Sequence, residues 1–166
     1  PARYPTAVAA LHARAVAGSD EHRYELAIVP LCGRVVPRDP PSAAVWLAMA
    51  AVRGHVGAQS LFGWQLMSAT GVLQDDVHAA RWLREAAAAG DAAAQNNLGV
   101  LLALGRGVDR DPALAARWFR AAADQGALAA AENLATLLDE GPAAARRRTP
   151  APPPALSPAA CRGLRT

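Results

Sequence analysis

The sequence predicts an all-α chain of antiparallel helix pairs stacked into a solenoid, and three observations predict it. The first is a repeat. Ala58-Gln59, Gly63, Leu66, Gly71-Val72, Asp75, Ala79-Ala80-Arg81-Trp82, Arg84, Ala86-Ala87 and Gly90 form one unit. It returns 36 residues later, without a gap, as Ala94-Gln95, Gly99, Leu102, Gly107-Val108, Asp111, Ala115-Ala116-Arg117-Trp118, Arg120, Ala122-Ala123 and Gly126. A fixed period of this length marks an array in which each unit buries its apolar face against the next. The second observation is composition. Hydrophobic residues make up 52% of the 166 residues, yet much of this is Ala and aromatics reach only 5%. Ala has the highest helix propensity, and no aromatic or β-branched alternation points to a sheet. The third is punctuation. Gly18, Gly54, Gly90 and Gly126 keep the same period, each at the place where a helix needs a left-handed cap residue.

Along the chain, residues 5–21 form a half-unit, a lone helix ending in Gly18. Residues 22–57 are a worn copy. Asp39-Pro40 opens a helix carrying Ala43-Ala44, Trp46 and Ala50-Ala51 and closing at Gly54. In its other half, Ala27 stands where Gly63 and Gly99 recur, and Pro30 stands where Leu66 and Leu102 recur. Proline inside a helix removes a hydrogen bond and clashes with the preceding turn, so this helix is expected to stop or bend near Val29. Units 58–93 and 94–129 each read as a first helix (about 57–69 and 92–104), a Gly-containing loop, and a second helix (about 76–89 and 112–124). Asp111 before Pro112 supplies a side-chain cap and a residue suited to the first helical position; Asp39 and Asp75 hold the same place. Ala79, Trp82, Leu83 and Ala86 share one helical face, as do Ala115, Trp118, Phe119 and Ala122. Residues 130–141 supply a last first helix with Ala130, Leu134 and Leu138 inward. Its remaining polar positions suit a cap with no neighbour on one side. Residues 142–166, rich in Pro, Ala and Arg, are expected to be disordered.

Charge and cysteine usage exclude several classes. Lysine is absent, and all 17 basic residues are Arg. The formal charge of +3 comes from the tail: residues 142–166 carry five Arg and no acid, which leaves 12 Arg against 14 acids in residues 1–141, a net −2. The folded part is therefore not a basic platform for nucleic acid or a membrane surface. Cys32 and Cys161 make no disulfide framework and leave the redox compartment open. No run approaches the length of a membrane-spanning helix, and no secretory leader is visible. The chain begins with Pro1 rather than Met, which leaves room for an upstream leader or domain, and its localisation stays unassigned.

The pattern of Ala94, Gln95, Leu98 and Gly99, then Gly105, Gly107 and Val108, then Asp111, then Ala115, Ala116, Trp118, Phe119, Ala122, Ala123 and Gly126 resembles the Sel1-like repeat, a relative of the tetratricopeptide repeat. The resemblance covers residues 58–129 throughout, 22–57 in part, and the flanking half-units more weakly. An aromatic usual midway along the first helix is replaced by Leu66 and Leu102. The resemblance implies a right-handed superhelix with first helices on the concave surface, serving as an adaptor or scaffold. A cysteine-rich subgroup of the family is associated with β-lactam binding or hydrolysis; its cysteine pairs are missing here.

Trp46, Trp82 and Trp118 share one register and are expected in the core, where buried aromatics contribute most. With Gly54, Gly90, Gly126, Gly63, Gly99, Ala86 and Ala122 they form the structural signature. By analogy with tetratricopeptide geometry, the groove positions are Tyr24, Ile28 and Leu31; Ser60, Trp64 and Met67; Asn96, Val100 and Ala103; Glu132, Thr136 and Asp139. Trp64 has no aromatic equivalent, and it either anchors a partner with Met67 or packs on the Pro30-containing helix. His12, His22, His55 and His78 share neither repeat register nor metal-ligand spacing. Ser19, Ser42, Ser60 and Ser68 lack a nucleophile-elbow context. No catalytic residue, metal or cofactor is expected. Arg146-Arg147-Arg148 is either solvated charge or a contact for an acidic partner, nucleic acid or anionic lipid.

The function expected is a non-catalytic interaction scaffold that binds a peptide or partner helix in the groove. Tyr24, Ile28, Ser60, Trp64, Met67, Asn96, Val100 and Glu132 are its candidate contacts. The alternatives are an enzyme of the β-lactam-binding kind, or a repeat segment of a larger protein.

Overall fold

The computed structural model describes residues 6–32 and 39–140. Eight helices and no strand occur among the described residues: α1 (Thr6–Val16), α2 (Asp20–Cys32), α3 (Pro40–Val52), α4 (Val56–Ser68), α5 (Asp76–Ala88), α6 (Ala92–Leu104), α7 (Pro112–Asp124) and α8 (Leu128–Glu140). Each packs on the next in sequence, most extensively α2 on α3, α4 on α5 and α6 on α7. The chain is an all-α solenoid of helix pairs. Gly141, Pro142 to Thr166 and the Arg146-Arg147-Arg148 run lie outside the described residues.

Side chains and glycines set the helix ends. The carboxylates of Asp39, Asp75 and Asp111 accept from the backbone N–H of Ser42, His78 and Leu114 at 3.3, 2.9 and 2.9 Å, satisfying amides that a helix start leaves free. Gly90, at φ 95°, closes α5: its N–H donates to the Ala87 carbonyl at 3.1 Å and the Asp91 N–H to that of Ala86 at 3.0 Å. This pair of bonds is a Schellman motif, and it recurs at Gly54 and Gly126. The first helices end differently. Gly105 takes the left-handed conformation after α6, and Ala69, at φ 57°, takes it at the same register after α4.

The repeat unit is keyed by a large side chain set against a small one. Leu47, Leu83 and Phe119, spaced at the repeat period, are each 0% exposed. A Cβ added to Gly99 would lie 2.6 Å from Phe119 Cε1, and one added to Gly63 would lie 2.8 Å from Leu83 Cγ. Glycine on the first helix therefore lets the second helix seat its largest side chain against bare backbone. In the worn pair Ala27 stands at the place of the glycine and shares a core cluster with Leu47. Gln59 and Gln95 lock the next junction: each Nε2 donates, at 3.2 Å, to a carbonyl near the end of the preceding second helix, that of Ala51 or Ala87.

Three expectations change. Trp46, Trp82 and Trp118 are half-buried rather than enclosed. Each indole packs on the edge of the clusters built around Leu47, Leu83 and Phe119, because the glycine contact draws the neighbouring residue to the centre of the helix pair. In α8 the inward leucine is Leu137, 8% exposed, whereas Leu138 is 63% exposed. The face runs Ala130, Leu134, Leu137, at the four- and three-residue spacing of one helical stripe. Finally, α2 continues past Val29 to Cys32. Pro30 sits in its last turn, where only a few residues remain to be disturbed.

Candidate partner-binding face

Helices α4, α6 and α8 touch one another in turn, whereas α3, α5 and α7 make no comparable contact. The stack is thus tighter on the first-helix side, which makes that side the inner one. Among the described side chains of the first helices and their caps, Asp20, Glu21, Glu25, Asp91, Glu132 and Asp139 face a single cation, Arg23.

The expected groove positions divide sharply. Ile28, Ser60, Met67, Asn96 and Val100 are 2, 1, 2, 2 and 0% exposed, so they do not line an open channel. Ala103 is buried with them, and the side chain of Leu31 lies outside the described residues. The cause is the packing of neighbouring first helices across these positions. Ser60 Oγ donates to Asp91 Oδ1 at 2.8 Å, and Asn133 Nδ2 donates to Asn96 Oδ1 at 3.0 Å. α6 is buried continuously from Ala94 to Ala103. Tyr24, Trp64 and Thr136 remain half-exposed, and Glu132 and Asp139 exposed. Trp64 packs against both main core clusters, one of which contains Ala27 of α2, while part of its indole stays at the surface.

A polar cluster gathers at the start of α4. His55 is the α4 cap: its Nδ1 accepts from the Ala58 N–H at 3.1 Å. That geometry assigns the ring proton to Nε2, which lies 3.1 Å from Glu21 Oε2. Tyr24 stacks on the imidazole with ring centroids 4.3 Å apart. Burial raises the Tyr24 phenol above its ordinary pKa, and the negative charges of Asp91 and Glu21 raise it further. Asp91 caps α6 through the Ala94 N–H at 2.7 Å while it accepts from Ser60. Ser60 is therefore a buried structural donor. His55 and Asp91 were not among the residues expected here, although the signal existed: Ser19, His55 and Asp91 occupy one register, and Ser19 and Asp91 are ordinary cap residues.

Between the repeats, Arg106 makes a two-pronged pair with Asp76, Nε to Oδ2 at 2.9 Å and Nη2 to Oδ1 at 2.8 Å, and Nη2 also reaches the Met67 carbonyl at 3.1 Å. Gln65 and Asn97, both 0% exposed, have side-chain atoms without a protein partner; the equivalent positions are Leu101 and Leu61. Among the described residues no three His, Cys, Asp or Glu side chains converge to hold a metal ion. No helix among them is long and apolar enough to cross a membrane.

The Sel1 repeat family model matches residues 23–55, 60–91 and 92–126. The chain belongs to the Sel1 repeat family. Sel1 repeat proteins are generally protein-interaction scaffolds, and their fold is typically non-enzymatic. A solved structure of a protective antigen present in uropathogenic Escherichia coli strains, displaying an SLR fold, is similar at 35% identity and TM-score 0.66, covering 72% of this chain and 26% of that one. A Sel1 repeat protein from Oxalobacter formigenes is similar at 27% identity and TM-score 0.66, covering 74% of this chain and 51% of that one. The chain thus spans about a quarter of the first and half of the second. A search of curated proteins returned no match.

Proposed function

We propose that this Sel1 chain is a non-catalytic scaffold that holds a peptide or helix of a protein partner against its first-helix face. Tyr24 and Trp64 are the aromatic anchors, and Glu132 is the polar contact at the far end. Ile28, Ser60, Met67, Asn96 and Val100, first considered as contacts, act from beneath by fixing the spacing of the helices that carry the anchors. The observation that supports this reading most is Trp64. An indole wedged between two core clusters yet partly at the surface is already ordered before a partner arrives, and little side-chain entropy is lost on binding. Half-exposed aromatics of this kind dominate the energetics of protein interfaces. The carboxylates of the first helices favour a partner segment of basic character.

The test is an affinity pull-down with the intact chain beside Trp64→Ala and Glu132→Lys. A specific co-purifying protein retained by the parent and lost by Trp64→Ala supports the reading. Equal retention by all three chains would remove the first-helix face from the account.

A further inference from the structure

The outer face of α3 departs from the pattern of α5 and α7. Val45, Ala48, Met49 and Val52 stand where α5 has Arg81, Arg84, Glu85 and Ala88 and where α7 has Arg117, Arg120, Ala121 and Asp124. α5 and α7 thus present charge to water, whereas α3, like α1 with Ala9, Ala13 and Val16 at the same register, presents aliphatic carbon. Val45, Met49 and Val52 are 60, 43 and 72% exposed and, at four- and three-residue spacing, form one continuous stripe. A single exposed apolar residue needs no explanation, but a stripe rimmed by charge marks an interaction surface.

A groove of about 410 Å³ adjoins the stripe, lined by Arg23, Ala48, Met49, Val52 and Arg53. Arg23 is 6% exposed. Its Nη1 donates to the Gly18 carbonyl at 3.4 Å and to Asp20, but its Nε is buried with no hydrogen-bond partner. An unmet donor on a buried cation is costly. Arg53 is 58% exposed at its side chain and, among the described residues, its carboxylate partner is Asp20, at 3.9 Å. One carboxylate therefore serves two guanidinium groups, and the groove keeps a net positive charge beside an apolar wall.

We propose that the outer face of α3 is a second docking surface, for an acidic amphipathic segment of a protein partner. Apolar side chains of that segment would cover Val45, Met49 and Val52, and a carboxylate would pair with Arg53. This surface lies mainly on a second helix, with Arg23 of α2 at its edge, and shares none of Tyr24, Trp64 and Glu132.

The test pans a random 16-residue peptide display library, as the probe, on the intact chain (on the order of the length that a four-turn helix requires). The enriched peptides are then measured by fluorescence polarisation against the parent, Met49→Arg, Arg53→Glu and Arg120→Glu. The substituted α3 positions are solvent-exposed, and circular dichroism checks that each variant is folded. Enriched sequences are expected to combine apolar residues at helical spacing with Asp or Glu. Met49→Arg and Arg53→Glu should each weaken binding roughly tenfold or more, with Arg120→Glu unchanged. A peptide with its acids replaced by Arg should lose the parent and regain affinity for Arg53→Glu. Enriched peptides that lack carboxylates, or that bind Met49→Arg as well as the parent, would overturn the proposal. So would a dimer in sedimentation that Met49→Arg dissolves, since a second copy of the chain would then be the occupant.

Discussion

Replacing Phe119 by Ala tests how the helix pairs are held together. The ring is 0% exposed and lies over Gly99, close enough that a Cβ there would fall 2.6 Å from it. Removing the ring leaves a cavity between two helices whose backbones cannot collapse further without moving the Gln95 clamp and the Asp111 cap. Burial of this kind places the loss at about 3–5 kcal/mol, the range for truncating a core aromatic. Trp118, one residue earlier, is half-buried, so Trp118→Ala should cost roughly half as much despite the larger side chain. Urea unfolding of the parent and both variants, followed by far-ultraviolet circular dichroism, gives the two losses at constant m. The order of the two variants decides the matter. A Trp118→Ala loss equal to or larger than that of Phe119→Ala would mean that the indole register, and not the glycine contact, is the centre of the repeat.

Other outcomes follow from the same geometry. Ala69→Gly should stabilise the chain by about 0.5–1 kcal/mol, since it relieves a left-handed Ala and loses part of that gain to the freer unfolded chain; thermal unfolding reads the sign. Arg106→Ala should cost about 1–3 kcal/mol, because it strands the partly buried Asp76 carboxylate and frees the Met67 carbonyl, and urea unfolding at low salt measures it. The folded-state pKa of Tyr24 is raised, so its contribution to stability is fully present below the unfolded phenol pKa of about 10. It is lost as pH rises through the folded value. Ultraviolet titration of a Tyr4→Phe chain should show the remaining phenol ionising late, and Asp91→Asn should bring it back toward the ordinary value.

Local signals carried most of the fold. Asp before a second helix and Gly after it are chemical requirements of helix ends, and the observed bounds of α4, α5, α6 and α7 differ from the expected ones by at most a residue. What the sequence hid was the depth of each position. Trp82 and Leu83 are neighbours on one helical face, and spacing alone does not rank them. Their order is set by Gly63, twenty residues earlier in the chain. The matching pairs Ala27 with Leu47 and Gly99 with Phe119 repeat that offset, so the signal was present but non-local. The first-helix face was harder still. Whether Asn96 or Val100 meets water depends on how tightly successive repeats curl, and that curvature is set by inter-repeat bonds such as Ser60 to Asp91. His55 escaped notice because histidine is an unusual helix cap.

Each helix pair is held by its neighbours, with α6 at the centre of the stack. Amide hydrogen exchange under native conditions measures it directly, residue by residue. The amides of α6 from Asn96 to Ala103 should be the slowest to exchange, those of α4 and α7 next, and those of α1 and α8 the fastest. If α6 exchanged as fast as α8, or if every pair opened independently at one rate, the helices would not be leaning on one another in the way described.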